Sequence, residues 1–391
     1  MDVFVLPWCR SSAACYCVRW DSVWVGSALF APSSACVASG ALVALQARAR
    51  YFVSAEGDAK YRVVVSQELL RGKYMQCMTV RFLLFSAIGF FGGLGVSEAQ
   101  CEPDGEVRFA CGPISPEDLA AVPESPWVIA SSMEDDGYLS VVDSRDHSSD
   151  VLFPTATSQP QHDRQRYGSC PGMTIDGFRP HGISLLSGAN GVHELYVVRH
   201  GQREAIEIFQ LDVGRSSPTI TWIGCVVAPD GLGLNAVVPL PGGGFAATSP
   251  RTNDVWEWQV GPGGTLVPGS TGIGPNGLEV SPDGRWFYVA GYRGQLVTRL
   301  SRGVSPVVKE TIPGGFNVDN VHWALDGTLL AAGHSTPTTT RVGECMREGV
   351  CDGITSRVAR VDTEAMTSEE FFSYPTNDKL ILGTAAIQVG N

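Results

Sequence analysis

Five oxygen-bearing side chains, Glu117, Asn235, Asn276, Asp319 and Asn320, each lead an apolar run that ends in a turn built from Pro, Asp and Gly. The set holds two carboxylates, three amides and no thiolate. Calcium takes roughly six to eight oxygens from carboxylates, amide carbonyls and water, whereas zinc prefers His and Cys. Five such side chains, completed by water or substrate, suit calcium. Singly, each has a plainer reading: Asn276-Gly277 is a common turn pair, and Asp319-Asn320 can cap backbone groups. Their recurrence at the head of successive apolar runs is what points to a shared ion. In FNVDNVHWALDGTLLAAGH (residues 316–334) the feature is doubled, since Asp319 and Asn320 stand side by side.

Three histidines hold comparable positions: His181 in RPHGIS, His200 at the end of ELYVVRH and His334 at the end of LLAAGH. Histidines on adjacent strands can hydrogen-bond, one orienting the other as a general base. His162, His193 and His322 lie in loop or strand settings that suggest no such role. Glycine-rich LPGGGF and GPGGT lack the lysine and following helix of a phosphate loop, and no GxSxG elbow occurs.

Residues so far apart can meet only if the fold brings equivalent positions together. Glu117, His181, Asn235, Asn276 and Asp319 follow one another at intervals of 41 to 64 residues, the scale of a four-stranded propeller blade. From leader to turn glycine the distance is seven residues for Asn235 and Asn320 and eight for Asn276. Five such units and the C-terminal LILGTAAIQVGN predict an all-β, six-bladed β-propeller. Its innermost strands would aim their starts at the central channel. A β-sandwich explains the recurrence less well.

Composition agrees. The 391-residue chain has 45 Gly and 24 Pro, only 17% charged residues, and a formal net charge of −12, which leaves no basic footprint for nucleic acid.

The first 77 residues differ, with eight Lys/Arg against five Asp/Glu and no sustained period. Residues 78–99 then show Arg81, a 15-residue apolar run from Phe82 to Val96, and Ser97-Glu98-Ala99. That is the anatomy of a secretory signal peptide, too short for a comfortable membrane span. The expected division is therefore 1–77 upstream of the true start, 78–99 signal peptide, and 100–391 propeller. The expected location is secreted or periplasmic, with no stable membrane span after cleavage. Cys101, Cys111, Cys170, Cys225, Cys345 and Cys351 remain in the last segment. Disulfides are expected there, and Cys345 and Cys351 are close enough to close a small loop.

CGPISPEDL, RPHGIS with ELYVVRH, LNAV, GPNGLEVSPDG and VDNVHW together resemble the paraoxonase/arylesterase family, a branch of the calcium-dependent six-bladed propellers that include gluconolactonases. The similarity spans about residues 111–391. It implies a catalytic calcium held by Glu117, Asn235, Asn276, Asp319 and Asn320, with His181 as general base, His200 as its partner and His334 lining the pocket. The implied activity is hydrolysis of lactones and aryl esters. A candidate second calcium would use Asp118 and the carbonyl of Ile183, but the family's other Asp would fall at 236, where this chain has Ala236. The pattern also continues past GTAAIQVGN, so the last blade is expected to be incomplete at the C-terminus. Two alternatives are a sugar lactonase of the gluconolactonase type and a non-catalytic calcium-binding propeller. The adjacent Asp319-Asn320 and the His181/His200 pair weigh against the first, and the histidines against the second.

Overall fold

Short runs rich in Val, Ile and aromatic residues, cut by glycine and aspartate turns, form antiparallel strands throughout. The computed structural model describes residues 102–214 and 217–389 together with three short N-terminal strands. These three are β1 (Asp2–Phe4), β2 (Tyr51–Glu56) and β3 (Lys60–Val65). The strands β2 and β3 pair as a hairpin within a separate unit, Ser12–Leu94. The signal segment expected at 78–99 lies outside the described residues.

The other unit is the propeller. Blade one comprises β4 (Pro116–Ala121), β5 (Trp127–Ser132), β6 (Leu139–Asp143) and β7 (Ser149–Phe153). Blade two comprises β8 (Phe178–Leu186), β9 (Val192–Gly201), β10 (Ala205–Asp212) and β11 (Thr219–Val227). Blade three has β12 (Val237–Pro239), β13 (Phe245–Ser249), β14 (Asp254–Gln259) and β15 (Gly263–Leu266). Blade four has β16 (Pro275–Val280), β17 (Trp286–Gly291), β18 (Leu296–Ser301) and β19 (Lys309–Pro313). Blade five has β20 (Asn317–Trp323), β21 (Leu329–Ser335), β22 (Thr355–Asp362) and β23 (Thr367–Pro375), with α1 (Arg341–Glu348) inserted between its second and third strands. In each sheet the strands pair in chain order.

The C-terminal strand β24 (Ile387–Val389) pairs antiparallel with β1. The described residues of this unit thus make five four-stranded blades and one short two-stranded sheet, in keeping with an incomplete last blade. Segment 385–389 is wedged between the first and fifth blades. Ala385, Ile387 and Val389 pack on Leu119, Val128 and Ala130, while Ala386 meets Leu330 and Val358.

The core lies between neighbouring sheets, so both faces of the middle strands are apolar. Val128, Ile129, Leu139, Leu195 and Val197 are fully buried, each contributing about 1.5–3 kcal/mol of transfer free energy. Two disulfides, Cys170–Cys225 and Cys345–Cys351, fasten the 170s loop to β11 and the end of α1 to the following loop. Cys111 is also disulfide-bonded. No helix among the described residues is long and apolar enough to cross a membrane.

The inner strands β4, β8, β12, β16 and β20 pack on one another around the axis, and their ladders break at particular places. Regular pairing is interrupted between Pro116 and Leu119, between Pro180 and Ile183, between Pro275 and Leu278, and between Val318 and Asn320. The residues inside the breaks are Glu117-Asp118, His181-Gly182, Asn276-Gly277 and Asp319. A break in the ladder re-aims a side chain that the pleat would otherwise send into the sheet-to-sheet core. In the third blade, Asn235 and Ala236 immediately precede β12.

Candidate active site

The re-aimed side chains converge. Glu117, His181, Asn235, Asn276, Asp319 and His334 all line one cavity of about 1030 Å³. Asn320 is buried beside it and donates its Nδ2–H to Glu117 Oε1 at 3.0 Å. The blades are locked in register here by hydrogen bonds to one another's backbone carbonyls. The Gly182 N–H donates to the Asn235 carbonyl at 3.1 Å, and the Thr248 hydroxyl to the Asn276 carbonyl at 2.6 Å. The Asn320 N–H donates to the Thr384 carbonyl at 3.1 Å, and the Thr384 hydroxyl to the Glu117 carbonyl at 2.7 Å. Glycine at 182 and 277 permits this approach. A Cβ on Gly182 would fall 2.4 Å from the Asn235 carbonyl oxygen, and one on Gly277 would fall 2.6 Å from the Asn320 Cα.

Three acceptors at the cavity floor, Glu117 Oε2, Asn235 Oδ1 and Asn276 Oδ1, are buried and have no hydrogen-bond partner. Leaving one such atom unsatisfied costs about 1–3 kcal/mol, a cost that a cation held between them would remove. Electrostatics agree. Burial, and then the nearby Glu117 carboxylate, push Asp319 well above the ordinary carboxylate range. Two buried carboxylates side by side need a positive partner. The donor set therefore fits a hard ion such as calcium, with Glu117, Asn235, Asn276, Asp319 and Asn320 as its candidate holders.

Beside these oxygens runs a chain of three hydrogen-bonded groups. His181 Nδ1 lies 2.8 Å from His200 Nε2, and His200 Nδ1 lies 2.8 Å from Glu204 Oε2. A carboxylate can only accept, so His200 carries its proton on Nδ1 and presents a bare Nε2. His181 must then donate from Nδ1, which leaves its own Nε2 unprotonated in the neutral ring. That atom lies 3.3 Å from Asn235 Nδ2 and 3.4 Å from Glu117 Oε1. Burial lowers the basicity of His181, but the charges of Glu117, Asp319 and Asp118 outweigh it and leave the imidazole above its ordinary value.

His334 faces the same cavity and lies 2.5 Å from the Tyr292 hydroxyl. Burial drives its pKa down to about 4, so the ring is neutral near pH 7 and its Nε2 accepts from Tyr292. The rim is formed by Arg293, the 336–339 loop and the α1 residues Val342 and Met346.

Asp118, the candidate for a second ion, faces a different set of partners. Its Oδ1 accepts from Leu119 N–H at 2.8 Å and lies 2.7 Å from His322 Nε2, and its Oδ2 accepts from Ile183 N–H at 2.8 Å. The other ring nitrogen of His322 lies 3.5 Å from Glu279 Oε1. Against burial, the carboxylates of Asp118 and Glu279 raise this imidazole to about 10.

Four residues of these networks escape sequence reasoning: Glu204, Tyr292, Glu279 and His322. Only Glu204 left a trace. The turn in HGQREA folds it back beside His200, because Ala205 pairs with Arg199. His322 looks idle in sequence because its partners come from two other blades. His162 meets the Tyr167 carbonyl and the edge of the Trp222 ring, and His193 the Gly188 N–H.

Fold and site together define a β-propeller with an oxygen-lined axial cavity and a histidine pair at its wall. No family model matches the chain, and no curated protein matches it. Solved structures give distant likenesses only. A nidogen/laminin complex is 12% identical with a TM-score of 0.44, covering 70% of this chain and 84% of that one. A protein of unknown function from Bacteroides caccae is 12% identical with a TM-score of 0.45, covering 72% and 88%. A luciferin-regenerating enzyme is 11% identical with a TM-score of 0.39, covering 66% and 76%. At this distance they say nothing of activity.

Proposed function

We propose that the protein is an exported, calcium-dependent hydrolase of lactones, aryl esters or both. The observation that carries this reading is the juxtaposition in one cavity of three unpaired buried oxygens and a histidine whose Nε2 is left bare by the His200–Glu204 chain. Calcium at the oxygens would polarise the ester carbonyl and stabilise the developing oxyanion. The rest belongs to the chain's own side chains. His181 Nε2 takes a proton from water as the water oxygen bonds to the carbonyl carbon, and returns it to the departing alkoxide or phenoxide as the ester C–O bond breaks. His200, held by Glu204, fixes the tautomer and shares the positive charge that forms on His181. Met133, Leu382 and Met346 offer an apolar wall to the acyl or aryl part of the substrate.

The test is turnover of phenyl acetate and simple lactones by purified protein, with and without a chelator. Activity that survives both chelation and His181→Gln refutes the reading. Export is tested by N-terminal sequencing of the native protein, where peptides from residues 1–70 would count against the expected start.

A further inference from the structure

The two groups of oxygens at the axis differ in one respect. Around Glu117 several acceptors are buried and unpaired. Around Asp118 both oxygens are taken, by Leu119 N–H, Ile183 N–H and the His322 ring. The neighbouring position is Ala236, a buried methyl with no oxygen to offer. A second calcium at Asp118 would have to displace the imidazole, and the residues present do not fit it.

We propose that the side chain of His322 stands where a second cation would otherwise sit, so that the protein carries one calcium and ties its blades together with a histidine. The inference rests on the calcium reading of the Glu117 site. The ring reaches Asp118 of blade one at 2.7 Å and Glu279 of blade four at 3.5 Å, while Asp118 holds the Ile183 N–H of blade two. With His322 itself on β20, one imidazole links four of the five complete blades. A divalent ion bridging carboxylates between blades would serve the same end, but it would be lost to a chelator. The histidine is not. It also adjoins the first site, since Asp118 follows Glu117 and His322 lies two residues beyond Asn320. A ring that holds Asp118 therefore helps hold the first site's backbone.

The experiment is a calcium count on the purified full chain, by elemental analysis and by calorimetric titration with calcium chloride. It is paired with thermal melts of wild type, His322→Gln and His322→Asp. The expected results are one calcium per wild-type chain and a melting temperature for His322→Gln lower by roughly 5 °C or more in chelator. His322→Asp, which sets three carboxylates together, should take up a second ion. Two calcium ions in the wild type, or a His322→Gln protein that melts with the wild type in chelator, would overturn the proposal. So would a His322→Asp chain that still binds one. A wild type that takes up no calcium would count against the proposed function, and the chelator melts would still decide the role of His322.

Discussion

Glu204 and His200 are joined across the β9–β10 turn by a 2.8 Å hydrogen bond from His200 Nδ1 to Glu204 Oε2. This bond, which touches no cavity atom, decides which nitrogen of His181 carries the proton. Glu204 Oε1 also accepts from Leu234 N–H, one residue before Asn235. One carboxylate thus orients the base and anchors a candidate calcium holder.

Glu204→Gln is accordingly expected to lower kcat by about 10- to 100-fold with little change in KM, since a positioned base contributes about 10²–10⁴-fold in rate. Steady-state kinetics on phenyl acetate check both; an unchanged kcat would rule the role out.

Asp319→Asn should act in opposite directions on the empty and loaded protein. With a chelator present the variant is expected to melt higher than wild type, because a buried carboxylate beside Glu117 is gone. Its affinity for calcium should fall at least about tenfold, since one of two formal charges on the ion is lost. Melting curves with and without calcium read both effects.

Gly182→Ala places a methyl 2.4 Å from the Asn235 carbonyl oxygen and 2.7 Å from the Ala236 Cα. Neither backbone atom can swing away as a flexible side chain would. Such overpacking costs typically about 1–3 kcal/mol, and the shift of Asn235 should take activity with it. Gly264→Ala, where no atom lies within 4 Å of the new Cβ, is the control expected to leave both unchanged. Urea denaturation and an activity assay compare them.

His334 gives a pH signature of stability. It takes up its proton near pH 4 in the fold and near 6.5 when unfolded. Between these values the unfolded chain binds more protons, so stability rises with pH. The contribution is complete above pH 6.5 and is lost as pH falls toward 4, at most about 3 kcal/mol. The denaturation midpoint of His334→Gln should therefore fall less steeply than that of wild type between pH 6.5 and 4; parallel curves would refute it.

The sequence by itself determined the repeat. The apolar runs, the turn glycines at 242, 284 and 327 and the spacing of their polar leaders are local properties, set by side-chain volume and backbone freedom. From them the all-β propeller could be read, and so could the residues at the heads of the inner strands. The same locality made Cys345–Cys351 legible. What pairs with what across blades was decided only in three dimensions. Periodicity carries no information on contacts between strands about 200 residues apart, such as Asn320 with Glu117 or His322 with Asp118. The ladder breaks that turn Glu117, His181, Asn276 and Asp319 toward the axis leave no mark in the pattern of apolar residues. At two of them, Gly182 and Gly277, the next inner strand comes so close that a Cβ would meet its backbone, an approach that no local pattern records. The two-stranded sheet of β24 shows the same limit, for the partner of Ile387–Val389 is Asp2–Phe4, from the far end of the chain.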